Sequence, residues 1–216
     1  MHVKLLTPMQ VNVKGKPTNM QPGDWVEVGK QLALQWLSNG SAAMFGQELQ
    51  NLFPKNSGII LHGAQPDAMR QRFSHVLEGV EVISCEPGVP FVYNVIWDTK
   101  LAVRHELIAV GLNLLAQWDV VIPLFDYTLL AMNVGTEIEQ EMTKTIIHDL
   151  RVHLQDTRFI CARQNATTQR LFEVYAAERQ RGDNAMLAWL RATYQVKPLL
   201  LAVPVTWTSG KVDYVD

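Results

Sequence analysis

The stretch Trp118–Thr128, WDVVIPLFDYT, decides how the chain is read. Its run DVVIPLF is apolar without interruption after Asp119 and opens on the β-branched Val120, Val121 and Ile122, the pattern of a strand covered on both faces. The run stops at Asp126, where the strand is expected to leave the core at its carboxyl end, the edge at which open α/β sheets bind ligands. Upstream, Leu101–Gln117 repeats Val103, Leu107, Val110 and Leu114 at helical spacing, and Ile108, Gly111 and Leu115 widen the stripe. A helix is therefore expected to feed this central strand.

Working outward, GIILHG from Gly58 is a short apolar run. It is followed by a helical pattern in PDAMRQRFSHVL, a second strand in GVEVISC and a third in VPFVYNVIW, which ends at Asp98. Downstream, Thr136 and Glu139 form a capping box at the start of EIEQEMTKTIIHDL. TRFICAR is a further strand, TTQRLFEVYAAERQR and AMLAWLRATYQ are helices separated by Gly182 and Asp183, and KPLLLAVPVTW is the closing strand. This alternation predicts an α/β domain over residues 58–216, a mainly parallel sheet flanked by helices. Residues 1–46 follow a different pattern. Short apolar runs broken at Lys14-Gly15-Lys16-Pro17 and Pro22-Gly23-Asp24 read as a small β module, and a short helix with Leu32, Trp36 and Leu37 stops at Asn39-Gly40. Gln47–Ser57 reads as a linker.

The composition, 48% hydrophobic and 19% charged with a net charge of -2, is that of a globular chain with no overall field toward nucleic acid or anionic membrane. No apolar run reaches the roughly 18 to 20 residues of a membrane span, and the start lacks a signal-peptide core. Cys85 and Cys161, far apart and each in a strand-like run, read as buried thiols in a reducing cytoplasm. The histidines show no zinc spacing. Without a Gly-x-Ser-x-Gly elbow, a phosphate loop or Gly-x-Gly-x-x-Gly, serine hydrolases, P-loop enzymes and dinucleotide oxidoreductases are disfavoured.

Three places hold residues able to do chemistry. Asp126, with Tyr127 and Thr128 beside it, can hold a divalent cation or a ribose hydroxyl, or simply cap a turn. Asp98, Lys100 and Arg104 gather where a strand gives way to a helix, a setting that suits a phosphate, although Asp98 serves equally as an N-cap. Asp183 opens a helix after Gly182. The cluster Asn133 to Glu139 reads as a capped helix start, Arg158 and Arg163 flank a strand, and His148-Asp149 alone is a weak metal signal.

In the order of LIAVGLNLLAQWDVVIPLFDY, RFICARQ, TTQRLFEVYAAE, GDNAMLAWL and VPVTW, residues 58–207 resemble the GT-A fold (Rossmann-like) nucleotide-diphospho-sugar transferases. That resemblance implies a glycosyltransferase using a nucleotide-sugar donor and a divalent cation, Mn or Mg. Asp126 would hold the metal, Lys100 and Arg104 the phosphates, Asp98 and Tyr127 further parts of the substrate, and Asp183 the acceptor or base side. The chain departs from the family's Asp-x-Asp motif, because Phe125-Asp126-Tyr127-Thr128 holds one carboxylate. The N-terminal K-L-L-x-P and P-G-D-x-V-E-V resemble a small β module of bacteriophage-encoded proteins, which implies a phage virion partner. Two alternatives stand beside this. VVIPLFD followed by N-V-G-T-E-I-E is similar to nucleoside deoxyribosyltransferases, with Glu137 or Glu139 as nucleophile, and a non-catalytic phage structural or assembly protein would also suit the single carboxylate.

Overall fold

The computed structural model describes residues 1–13, 15–62, 80–84, 87–98, 100–101, 103–128, 153–181, 184–204 and 206–209. The amino-terminal part pairs β1 (His2–Leu5) antiparallel with both β4 (Trp25–Glu27) and β5 (Ala42–Ala43). A separate hairpin joins β2 (Met9–Val13) to β3 (Lys16–Met20), with Gly15 at φ 82° in its turn. Helix α1 (Lys30–Ser38) buries Ala33 and Leu37 and ends at Gly40, whose φ of 75° closes the helix in the left-handed region that glycine adopts freely.

The segment that composition marks as a linker is packed. It forms helix α2 (Gly46–Gln50), and Leu49 and Leu52 are buried in the same core as Leu5, Leu37, Trp97 and Leu107. The amide of Asn113 donates to the Leu52 carbonyl at 2.7 Å. A single core therefore runs from the β module into the larger sheet.

That sheet corrects the expected fold class. Among the described residues it has seven strands and is mixed, not mainly parallel. β6 (Ser57–His62) pairs parallel with β7 (Glu81–Ser84) and β8 (Tyr93–Asp98), and β12 (Leu200–Val203) pairs parallel with β9 (Val120–Thr128). The central pairings are antiparallel. β11 (Phe159–Arg163) runs against both β8 and β9, and β10 (His153–Gln155) runs against the distal half of β9. Alternating strands and helices suggested crossovers throughout, but the chain returns from β9 to β10 and β11 in the opposite direction.

The strands at the centre are apolar on both faces because both faces are covered. Val121, Val95, Ile59 and Cys161 face one core with helix α3 (His105–Leu114), while Val120, Ile96, Ile60 and Ile160 face the other with α4 (Ala166–Arg181) and α5 (Ala185–Val196). Leu107, Ile108, Ala109, Val110, Gly111 and Leu112 of α3 are all buried, so this helix is enclosed rather than laid on a surface. Reciprocal bonds between Asn165 and Thr168 start α4, and Asn184 caps α5 by accepting from the Met186 and Leu187 amides. Helix α6 (Thr206–Ser209) follows β12. No helix among the described residues is long and apolar enough to cross a membrane.

Candidate functional site

Strand β8 ends at Asp98, and a cleft of about 680 Å³ opens there. Asp98, Thr157 and Arg158 come from the ends of adjacent antiparallel strands, and Tyr175, Arg179 and Gln180 come from α4. The pairing explains the convergence. Trp97 stands opposite Phe159, and the Asp98 amide donates to the Arg158 carbonyl at 2.7 Å, so the end of one strand and the start of the next meet at one edge. The volume lies in the range of sites that enclose a ligand of nucleotide size.

The polar geometry of the cleft is ordered. Asp98 Oδ1 accepts from the Lys100 amide at 2.8 Å, a tight local turn after the strand. The Arg158 guanidinium donates through Nε and Nη2 to the two oxygens of buried Asp156, each at 2.8 Å. This fork fixes the plane of the guanidinium. The hydrogen bond that Arg158 donates to Asp156 raises the Arg158 pKa, burial opposes it, and the charges of Asp156 and Asp98 add to the rise. Arg179 lies on the last turns of α4 and Gln180 is beside it.

The other residues singled out in the sequence fall in different places. Arg104 is turned away from the cleft, because its Nη2 donates to the Leu37 carbonyl at 3.0 Å, at the end of α1. Lys100 is exposed and does not line the cleft. β9 continues past Asp126 to Thr128, so Asp126 lies within the strand, on the part that pairs with β10. The side chains of Asp126 and Tyr127, and all of Asp183, Asn133 to Glu139, His148-Asp149 and Cys85, lie outside the described residues. Arg179 was not singled out, since it sits on an amphipathic helix with no neighbouring motif. Only the fold brings it near Arg158.

The donor set can be tested against the divalent cation implied by the resemblance. Among the described residues the cleft offers one carboxylate, Asp98, with one oxygen already accepting from the Lys100 amide. No group of three His, Cys, Asp or Glu residues able to hold a metal occurs among the described residues. Magnesium keeps several waters and is held through one or two carboxylates together with substrate phosphates. Asp98 is the described carboxylate that could hold it in this cleft, which Arg158 and Arg179 also line.

A second polar centre lies at the opposite end of β9. Asp119 Oδ1 accepts from Arg163 Nη2 and Asn165 Nδ2, each at 2.7 Å, and Oδ2 accepts from the Leu199 amide at 3.0 Å. It ties the starts of β9, α4 and β12 to the end of β11, which is an architectural role. Set against family models, curated proteins and solved structures, the chain matches none of them.

Proposed function

We propose that the chain binds a nucleotide-sugar in the cleft at Asp98 and transfers the sugar to an acceptor hydroxyl. The observation that carries this reading is a cleft of about 680 Å³ at a strand end, lined by one carboxylate residue, Asp98, and two arginines, Arg158 and Arg179. Such a cleft suits a diphosphate because planar guanidiniums match phosphate oxygens in pairs. A carboxylate beside them accepts hydroxyl hydrogens from a ribose or a sugar.

In this reaction an acceptor oxygen attacks the anomeric carbon, the bond from that carbon to the diphosphate breaks, and the diphosphate leaves with the electron pair. Negative charge grows on the leaving group, so fixed cations aimed at it stabilise the transition state more than the ground state. The acceptor proton passes to a base, the role the resemblance gives to Asp183. The resemblance to sugar transferases in sequence order, and that of residues 1–46 to phage modules, support a cytoplasmic enzyme acting beside a virion partner.

The test is release of UDP or GDP from nucleotide-sugars, with and without manganese, by wild type and Asp98→Asn. Turnover by wild type and a loss on the order of a hundredfold in the variant are expected, the scale of one electrostatic contribution. Absence of turnover across donors, or full activity in Asp98→Asn, overturns the reading.

A further inference from the structure

We propose that the Thr157 hydroxyl hydrogen-bonds a hydroxyl on a sugar ring of the ligand, so that the cleft selects ligands carrying that hydroxyl. The inference deepens the functional reading and rests on it for the ligand being a nucleotide or nucleotide-sugar. Its warrant is an unmet hydrogen bond at a buried position. Three threonines are buried among the described residues, Thr157, Thr168 and Thr193. Thr168 donates its hydroxyl to the Arg163 carbonyl, and Thr193 donates to the Leu190 carbonyl at 2.8 Å. The Thr157 hydroxyl has no partner among the described residues, although the residue is only 9% exposed. A buried polar group without a partner costs stability, so such a group calls for a reason.

Local structure explains the difference. Thr193 returns its hydroxyl to the carbonyl three residues back along α5, an option that a helix offers and a turn does not. Thr157 stands at the tip of a tight turn, where the Phe159 amide donates to the Asp156 carbonyl at 3.3 Å and the Arg158 amide to Asp156 Oδ1 at 3.1 Å. Its hydroxyl is not sealed from solvent, and Thr157 lines the cleft, so the access that remains to it is on the ligand's side. The same turn stands beside the strand end that carries Asp98, because the Asp98 amide donates to the Arg158 carbonyl at 2.7 Å. Asp98 Oδ1 accepts from the Lys100 amide, and its second oxygen has no hydrogen-bond partner among the described residues. A hydroxyl that donates and accepts, next to a carboxylate that accepts, matches the hydroxyls of a ribose or of a transferred sugar.

The experiment is calorimetric titration of the full chain, wild type and Thr157→Val, in manganese buffer. The ligands are UDP or GDP, whichever binds more tightly, its 2′-deoxy and 3′-deoxy forms, and its glucose conjugate. Valine keeps the shape of threonine and removes the hydroxyl. One ligand hydroxyl should matter to wild type by about twofold to tenfold, the range for one neutral hydrogen bond, and not to Thr157→Val. Coupling to the 2′ or 3′ position assigns Thr157 to the ribose. A gain of the glucose conjugate over the bare nucleotide that only Thr157→Val loses assigns it to the transferred sugar. Because the hydroxyl has no partner within the described fold, Thr157→Val should melt no lower than wild type.

Affinities that match between wild type and Thr157→Val for all four ligands overturn the inference and leave the sugar-transfer reading in place. An equal loss for all four, or a lower melting temperature, also overturns it, because the hydroxyl then serves the phosphates or the fold. Coupling to one ligand hydroxyl, without turnover of any nucleotide-sugar, sustains the inference and removes sugar transfer. No binding of either nucleotide overturns both.

Discussion

Gly111 of α3 lies so close to Cys161 of β11 that a Cβ at position 111 would stand 2.5 Å from Sγ and 3.6 Å from the Trp207 ring. The absence of a side chain is what lets the helix settle on the sheet. Gly111→Ala gains about 1 kcal/mol of helix propensity but forces the overlap, which typically costs about 1 to 3 kcal/mol. Net destabilisation is expected in urea unfolding, and Cys161→Ala in the same chain should relieve it. Burial pushes the Cys161 thiol far above its usual range, so a thiol reagent should label it only on unfolding. Equal stability of Gly111→Ala with and without Cys161→Ala would contradict the close packing.

Between α4 and α5, Arg191 Nε donates to Glu178 Oε2 at 2.8 Å with both side chains nearly inaccessible, and Gln195 donates to Oε1 at 3.1 Å. Removing one member strands the other in a dry interior, at a cost of about 3 to 5 kcal/mol. Arg191→Met should therefore lower the unfolding midpoint sharply. Arg181 also reaches Glu178, at 3.3 Å, but its side chain is 63% exposed, so Arg181→Met should change stability by less than about 1 kcal/mol. Similar losses in the two variants would mean that the buried pair carries no special weight.

Asp119 supplies a pH dependence. Burial pushes its carboxyl upward, but the hydrogen bonds from Arg163, the Leu199 amide and Asn165 outweigh it and leave the pKa below its ordinary value of 3.8. A depressed folded-state value means that the unfolded chain takes up the proton first. The stabilisation is complete above the unfolded value and is lost as pH falls through the folded one. Asp119→Asn places an amide NH2 among three donors and should cost about 1 to 3 kcal/mol at neutral pH. Its deficit should shrink below pH 3.8, and a deficit independent of pH would exclude the ionised carboxylate as the cause.

The sequence announced β8, α3, β9, β11, α4 and α5 because unbroken apolar runs and helical stripes survive any arrangement of neighbours. It did not announce the direction of β11. FICAR reads alike in either sense, and polarity is set by how the chain returns after β9, which strand composition does not encode. Pro54 and Asn56-Ser57 are loop formers, yet Leu49 and Leu52 beside them are core residues, and the breakers outweighed them in the reading. Asp126 looked like a strand end because a charge interrupts an apolar run, whereas pairing with β10 carries the strand onward. Asp98 was legible as the end of VYNVIW. That it lines one cleft with Arg158 and Arg179 was not, since those residues are distant in sequence and converge only through antiparallel pairing and the course of α4.

Arg104 is the residue for which sequence and structure give opposite forecasts. As a phosphate ligand, its loss would weaken diphosphate binding and leave the fold intact. In the structure its Nη2 donates to the Leu37 carbonyl at the end of α1, and its guanidinium lies 3.3 Å from where a Cβ on Gly40 would be. A cation beside the carbonyls of a helix end is favourable, because those carbonyls lack partners within the helix. Arg104→Met keeps most of the stem's packing and removes the charged donor. The expected outcome is a loss of about 1.5 to 3 kcal/mol in unfolding free energy, the scale of a charge-assisted hydrogen bond. UDP affinity, measured well below the melting temperature, should stay within about twofold of wild type, far from the tenfold change expected for loss of a phosphate ligand. Unchanged stability with weakened UDP binding would restore Arg104 to the ligand and remove it from the junction between α1 and α3.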